Sequence, residues 1–265
     1  MKYKGYISKS YFDPTTWDNH VVKNDLWERT FIEEDADFII YVNDSKITKL
    51  DKFKILYLIE CEDILNTTYN NIVTRLQPNL IVTYNNTSFD GIKTVNTLPP
   101  FKSWITEPSV YSKTKLCSMI SSMLGNTNLQ QYRVGVYNKF KNIVDCYGKH
   151  TNYIENKITG LQDYCFSIAI ENSSVPGYFT EKILDCFLTG TVPVYLGDPD
   201  IGKHFDERGI ILYTDNFDIN ELSFERYYDM LPYIKHNYEV AKRLNISFED
   251  YFMRGVHEYE HDRKN

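Results

Sequence analysis

Three short runs fix most of what this chain can fold into. Phe38-Ile39-Ile40-Tyr41-Val42, Ile55-Leu56-Tyr57-Leu58-Ile59 and Leu80-Ile81-Val82-Thr83-Tyr84 are almost continuously β-branched, aliphatic or aromatic. They lack the polar alternation of a half-solvated strand, so they predict strands covered on both faces, as in a parallel sheet. Between the last two, Leu65, Tyr69, Ile72, Val73 and Leu76 recur at helical spacing, which completes a strand-helix-strand unit.

A second set follows. It has a strand over Lys115 to Ile120, a helix holding Tyr132, Val136, Phe140, Ile143 and Val144 and closed by Gly148, and a strand over Phe166 to Ile170. A helix over Glu181 to Leu188 comes next, with Ile183, Leu184, Phe187 and Leu188 inward, then a strand over Val192 to Leu196. Leu98-Pro99-Pro100 through Pro108-Ser109 reads as a linker, because proline blocks both helix and ladder. From Glu221 onward the chain reads as helical and polar. The expectation is an α/β protein with two Rossmann-like domains facing a cleft. The N-terminal domain spans 1–108, and a C-terminal domain with a helical tail spans 109–265.

Composition narrows the function classes. The 265 residues carry 36 acidic and 29 basic side chains, a net charge of -7, and 42% are hydrophobic. A core of that apolar content excludes global disorder, and the acidic balance argues against a nucleic-acid coat or a polybasic membrane binder. No apolar run approaches the roughly 20 residues of a membrane span, and no signal-peptide core follows Met1. The five scattered cysteines form no CxxC pair, which fits a reducing compartment. A soluble, cytoplasmic protein is expected.

The densest polar cluster runs from Glu171 to Lys182, between the carboxyl end of one strand and the first turn of the next helix, with Thr180 at the N-cap position. Nucleotides bind there in open parallel sheets, because free helix N–H groups and the positive helix end attract phosphate. Lys182 opposes the helix dipole and gains if an anion lies in front of it. A capped loop with surface charges explains the same spacing equally well.

Tyr164 to Ser173, then Gly177-Tyr178-Phe179-Thr180-Glu181-Lys182, then Gly190 to Pro199 resemble the donor-binding signature of the α1,3/4-fucosyltransferases, glycosyltransferase family 10. Ser121-Ser122, Arg133 and Val144-Asp145-Cys146-Tyr147-Gly148 extend the resemblance upstream, and Tyr57-Leu58-Ile59-Glu60-Cys61 is similar to the family's acceptor-side strand ending in glutamate. It covers about Ala36 to Phe205 and thins toward the N-terminal part, which is shorter than is common in the family.

The resemblance implies a GT-B fold with an abbreviated N-terminal domain, and inverting transfer of L-fucose from GDP-fucose to a hydroxyl of a glycan acceptor. Such a transfer needs one carboxylate to take the acceptor proton and groups to neutralise the departing diphosphate. By resemblance Glu60 is the base, with Glu62 its competitor if the strand continues. Arg133 and Lys182 hold the diphosphate. Glu181 lies near the fucose or ribose, and Asn172, Tyr178 and Ser121 belong to the donor site. No metal is obligatory, although a divalent cation is an option. Two alternatives stand beside this reading: a same-fold transferase using another GDP-6-deoxyhexose, and a non-catalytic nucleotide-sugar-binding protein.

Two further patterns invite other chemistry. His257-Glu258-Tyr259-Glu260-His261 spells HExxH, but too little chain follows it to supply a third zinc ligand. Asp35-Ala36-Asp37 and Asp198-Pro199-Asp200 are DxD triplets. The first leads into a buried strand, and a turn-forcing proline sits in the second.

Overall fold

The structure, a computed structural model, describes residues 3–8, 27–30, 32–43, 51–99 and 101–245, together with 251, 252 and 256. It divides into two compact units, 1–100 with 247–265 and 101–246.

Unit 1 holds a six-stranded sheet in the order β2-β1-β3-β4-β5-β6, with every pair parallel. The strands are β1 (Tyr3–Ile7), β2 (Trp27–Thr30), β3 (Phe38–Val42), β4 (Phe53–Leu58), β5 (Leu80–Thr83) and β6 (Lys93–Asn96). The three apolar runs are the three central strands, and Ile39, Tyr41, Leu56, Leu58 and Ile81 form their core with the helix α2 (Tyr69–Leu76). That helix buries Tyr69, Ile72, Val73 and Leu76, and a one-turn helix α1 (Glu62–Leu65) precedes it.

Unit 2 holds a five-stranded, all-parallel sheet in the order β11-β10-β9-β7-β8. Its elements are β7 (Lys115–Ile120), α3 (Asn128–Phe140), β8 (Asp145–Tyr147), β9 (Tyr164–Ile170), α4 (Glu181–Leu188), β10 (Val192–Leu196), β11 (Ile211–Leu212) and α5 (Phe224–Leu244). β9 is buried at all seven positions and pairs Phe166–Ile170 with Val192–Leu196. Ile183, Leu184, Phe187 and Leu188 of α4 pack into the same core. The α/β class with two Rossmann-like parallel sheets is as expected.

Four expectations change. The first unit ends at Pro100 rather than at 108, and residues 247–265 group with unit 1 rather than with the C-terminal unit. The earlier boundary reflects local bonding of the proline-rich stretch to unit 2. Ser103 donates its hydroxyl to Asp185 (2.5 Å) and its N–H to Asn245 (2.9 Å), and Tyr238 donates to the Pro108 carbonyl (3.1 Å). Helix α3 stops at Phe140. The next residues turn, so that Val144 reaches the core at helical spacing without being helical while Ile143 is exposed. Gly148 therefore caps no helix. It follows β8 with φ at 151°, and a Cβ there would lie 1.7 Å from the Ser121 carbonyl oxygen. Finally, β4 ends at Leu58, so Glu62 does not continue a strand; it opens α1, and its Oε1 accepts the N–H of Tyr69 (2.6 Å).

Among the described residues no helix is long and apolar enough to cross a membrane. The HExxH pattern at 257–261 lies outside the described residues.

Candidate active site

Sheet order sets the site of unit 2. β7, β8 and β9 lie side by side and parallel, so their carboxyl ends and the loops after them share one edge. A cavity of about 600 Å³ opens there, lined by Ser121, Arg133, Asn172, Glu181 and Lys182 among others. Five of the residues expected at a donor site thus meet at one wall. Tyr178 does not join them: its side chain is fully buried, edge-on to the Phe101 ring at 5.9 Å. Glu60 and Glu62 belong to unit 1.

Each side chain at the wall is held by a specific partner. The guanidinium of Arg133, only 3% exposed, reaches from α3 to donate through Nη1 to the Ile170 carbonyl (2.9 Å) and to Asn172 Oδ1 (3.2 Å). Its Nε is buried without a protein acceptor. Burial lowers its pKa from the ordinary arginine value, against the pull of Glu171, Glu181 and Tyr178. Asn172 is fixed from two more directions, since Gln130 Nε2 donates to its Oδ1 (3.1 Å) and Thr127 Oγ1 to its carbonyl (2.6 Å). Thr127 is also the N-cap of α3, in a reciprocal capping box with Gln130. Ser121 follows β7, where its Oγ accepts the N–H of Met123 (3.3 Å).

The loop before α4 is organised by the carboxylate that opens the polar cluster, a residue not among the expected site residues. Glu171 is 0% exposed. Its Oε1 accepts the Thr180 N–H (2.9 Å), and its Oε2 accepts the Thr180 hydroxyl (2.7 Å) and the Lys182 ammonium (3.0 Å). Thr180 is the N-cap of α4, as its position predicts. The anion that Lys182 needs at the positive end of α4 is therefore already supplied from within the chain. Asp198 ties the other side of the loop, accepting the N–H of Gly177 (2.9 Å), which sits at φ 80° where glycine is favoured.

Lys157 and Asp185 also line the cavity and were not anticipated. Asp185 carried a signal, being an acid inside the apolar run Ile183-Leu184-Asp185-Cys186-Phe187. Lys157 carried none, because it stands in a short polar turn. Burial works against an ionised Glu181, but Lys157 and then Lys182 outweigh it and hold its carboxyl down at about 2.

The segment bearing Glu60 in unit 1 is fixed through its backbone. Asn43 Oδ1 accepts the N–H groups of Ile59 (2.8 Å) and Glu60 (3.1 Å), and the Tyr69 hydroxyl donates to the Glu60 carbonyl (2.7 Å) while lying 2.9 Å from Tyr84 Oη. The DxD triplets serve local structure. Asp37 accepts the Lys4 N–H (2.7 Å), and Asp200 pairs with Lys203 (2.6 Å). Among the described residues no group of three or more His, Cys, Asp or Glu side chains could hold a metal ion.

Residues 110–239 match the profile of "Glycosyltransferase family 10 (fucosyltransferase) C-term". That span belongs to glycosyltransferase family 10. It lies within unit 2 and contains Ser121, Arg133, Asn172, Glu181 and Lys182. The chain is 31% identical over 83 residues to an alpha-(1,3)-fucosyltransferase of Helicobacter pylori, covering 31% of this chain and 16% of that protein. It is 25% identical over 243 residues to a protein of Acanthamoeba polyphaga mimivirus provisionally named a fucosyltransferase, covering 81% of this chain and 39% of the relative. The chain thus spans less than half the length of these curated relatives. A crystal structure of alpha1,3-fucosyltransferase with GDP-fucose superposes with a TM-score of 0.56 at 15% identity, covering 95% of this chain and 88% of that one. The family 10 span therefore sits in a chain that shares the GT-B fold of that enzyme.

Proposed function

We propose that this chain is an inverting fucosyltransferase that moves L-fucose from GDP-fucose to a hydroxyl of a glycan acceptor. The observation that carries the reading is the convergence of Arg133, Asn172 and Lys182 on one cavity at the carboxyl ends of parallel strands, beside the N-terminus of α4, inside the family 10 span. Backbone N–H groups at that helix end, a lysine and an arginine suit a diphosphate.

In this reading the acceptor oxygen attacks the anomeric carbon of fucose on the face opposite the diphosphate, and the bond from that carbon to the phosphate oxygen breaks. The leaving electron pair goes to GDP, where Arg133 and Lys182 meet the charge and Lys182 exchanges part of its contact with Glu171 for a phosphate oxygen. Glu60 takes the acceptor proton. Asn172 and Ser121 position the nucleotide, Tyr178 supports them from behind the wall, and Glu181 steadies positive charge near the sugar. These residues do the neutralising, and a divalent cation is optional.

Labelled GDP-fucose on an acceptor array, with thermal-shift titration against a panel of nucleotide sugars, tests this. Stabilisation by GDP-fucose with transfer to at least one acceptor is expected. Glu60→Gln should lower transfer by roughly 100-fold or more while GDP binding is kept. Stabilisation by a UDP-sugar but not by GDP-fucose would overturn the donor assignment, and preference for another GDP-6-deoxyhexose would replace fucose. Donor binding with neither transfer nor hydrolysis would make the chain a binding protein.

A further inference from the structure

The donor cavity contains more carboxylate than a site for a diphosphate requires. Glu181 and Asp185 stand one turn apart on the same face of α4 and both line the cavity. Two carboxylates so placed repel each other unless a cation lies between them. Lys157 is that cation. Its ammonium lies 3.1 Å from Glu181 Oε1 and 3.1 Å from Asp185 Oδ2, with 27% of its side chain exposed, and 5.6 Å from the centre of the Trp104 ring.

The partners of each group show which of the two acids depends on Lys157. Asp185 is also bound through Oδ1 by the Ser103 hydroxyl (2.5 Å) and the Trp104 N–H (2.9 Å), so it has neutral donors of its own. Among the described residues Glu181 has only cations for side-chain partners, and its sequence neighbour Lys182 is the weaker one. Lys182 stands 3.9 Å from Glu181 but 3.0 Å from Glu171. Once Lys182 turns toward an anion, Lys157 is the cation still in contact with Glu181.

We propose that Lys157 is a positioning residue of the donor cavity: anchored on Asp185, it holds the Glu181 carboxylate in place while Lys182 serves the incoming diphosphate. The proposal deepens the fucosyltransferase reading and rests on it for the identity of the anion. The charged groups acting on Glu181 are Lys157 from the turn before β9, Lys182 and Asp185 from α4 itself, and Arg133 from α3. Removing Lys157 leaves Glu181 beside Asp185 with only a shared lysine.

The test compares Lys157→Met, Lys157→Arg, Glu181→Gln and the Lys157→Met/Glu181→Gln double variant in the full chain. GDP affinity is read by calorimetry, GDP-fucose hydrolysis and transfer by turnover from pH 4.5 to 9, and the Glu181 carboxyl by carbon NMR titration. Lys157→Met is expected to keep GDP affinity within about 3-fold and to lower turnover by about 10- to 100-fold. The acid limb of its turnover profile and the Glu181 titration should both move to higher pH. Lys157→Arg should restore most of the turnover, and the double variant should be little worse than Glu181→Gln alone.

Additive losses in the double variant, or an unmoved Glu181 titration in Lys157→Met, would overturn the proposal. If Lys157→Met does not fold, Lys157→Gln takes its place, and the same NMR shift decides. Failure of the wild type to bind GDP or turn over GDP-fucose would sink the fucosyltransferase reading instead. The NMR titration would still report on the Lys157–Glu181 pair.

Discussion

Two loops, each leaving the carboxyl end of a buried parallel strand, carry the groups of interest, and they are built by opposite means. After β9 in unit 2, the end of the loop and the first turn of α4 are held mainly by acidic and basic side chains: Glu171 bonds Thr180 and Lys182, and Lys157 bonds Glu181 and Asp185. After β4 in unit 1, the stretch bearing Glu60 is fixed by an amide and a phenol acting on its backbone. Charges that hold charges can be redistributed when a charged ligand arrives, because each partner exchanges one counter-ion for another. A backbone pinned by neutral donors and acceptors keeps its place whatever the charge nearby.

The largest effect is expected where the backbone lining the cavity of unit 2 is displaced. Gly148→Ala puts a Cβ against the Ser121 carbonyl at 1.7 Å. It is expected to cost on the order of 4 kcal/mol or more in urea unfolding and to abolish the nucleotide binding proposed above. Next comes Glu171→Ala, which leaves Lys182 without its 3.0 Å partner and Thr180 without its acceptor. A loss of about 3–5 kcal/mol is expected by the same measurement.

Acid unfolding sharpens the comparison further. The carboxyl of Glu181 is held at about 2, below its ordinary 4.5, so its contribution to stability is fully present above pH 4.5 and is lost as the pH falls toward 2. Asp185 has the opposite sign: burial raises its pKa despite Lys157, so protonating it relieves the fold. Glu181→Gln should therefore flatten the acid limb of a stability-versus-pH curve, and Asp185→Asn should steepen it. The mildest change is Tyr69→Phe in unit 1, which removes the hydrogen bond to the Glu60 carbonyl and the one shared with the Tyr84 hydroxyl. About 1–2 kcal/mol is expected in thermal unfolding, and a loss as large as that of Glu171→Ala would erase the contrast between the loops.

What was legible in the sequence follows the same divide. The central strands announced themselves because burial on both faces leaves no polar position, and the α4 segment because its cap, glycine and lysine stand in one continuous stretch. The edge strands did not. β6 has a single buried residue, Val95, among Lys93, Thr94 and Asn96, and β11 has two residues in all. α3 was overrun by one turn, since the buried Val144 continues a helical spacing that the backbone has left. Lys157 and Asn43 were invisible for one reason: each acts on a partner distant in sequence, 24 residues away for Glu181 and 16 for Ile59.

The return of residues 247–265 to unit 1 bears on how the chain is made. Phe252 lies with its ring 5.6 Å from that of Tyr57, within the first unit, although the whole of unit 2 separates them along the chain. During synthesis unit 2 has all its residues before unit 1 does, so the unit that begins first is completed last. Until then its all-parallel sheet lacks part of its covering and presents apolar surface to other chains. Emergence of the residues that follow unit 2, rather than of the first hundred, sets the moment at which unit 1 closes.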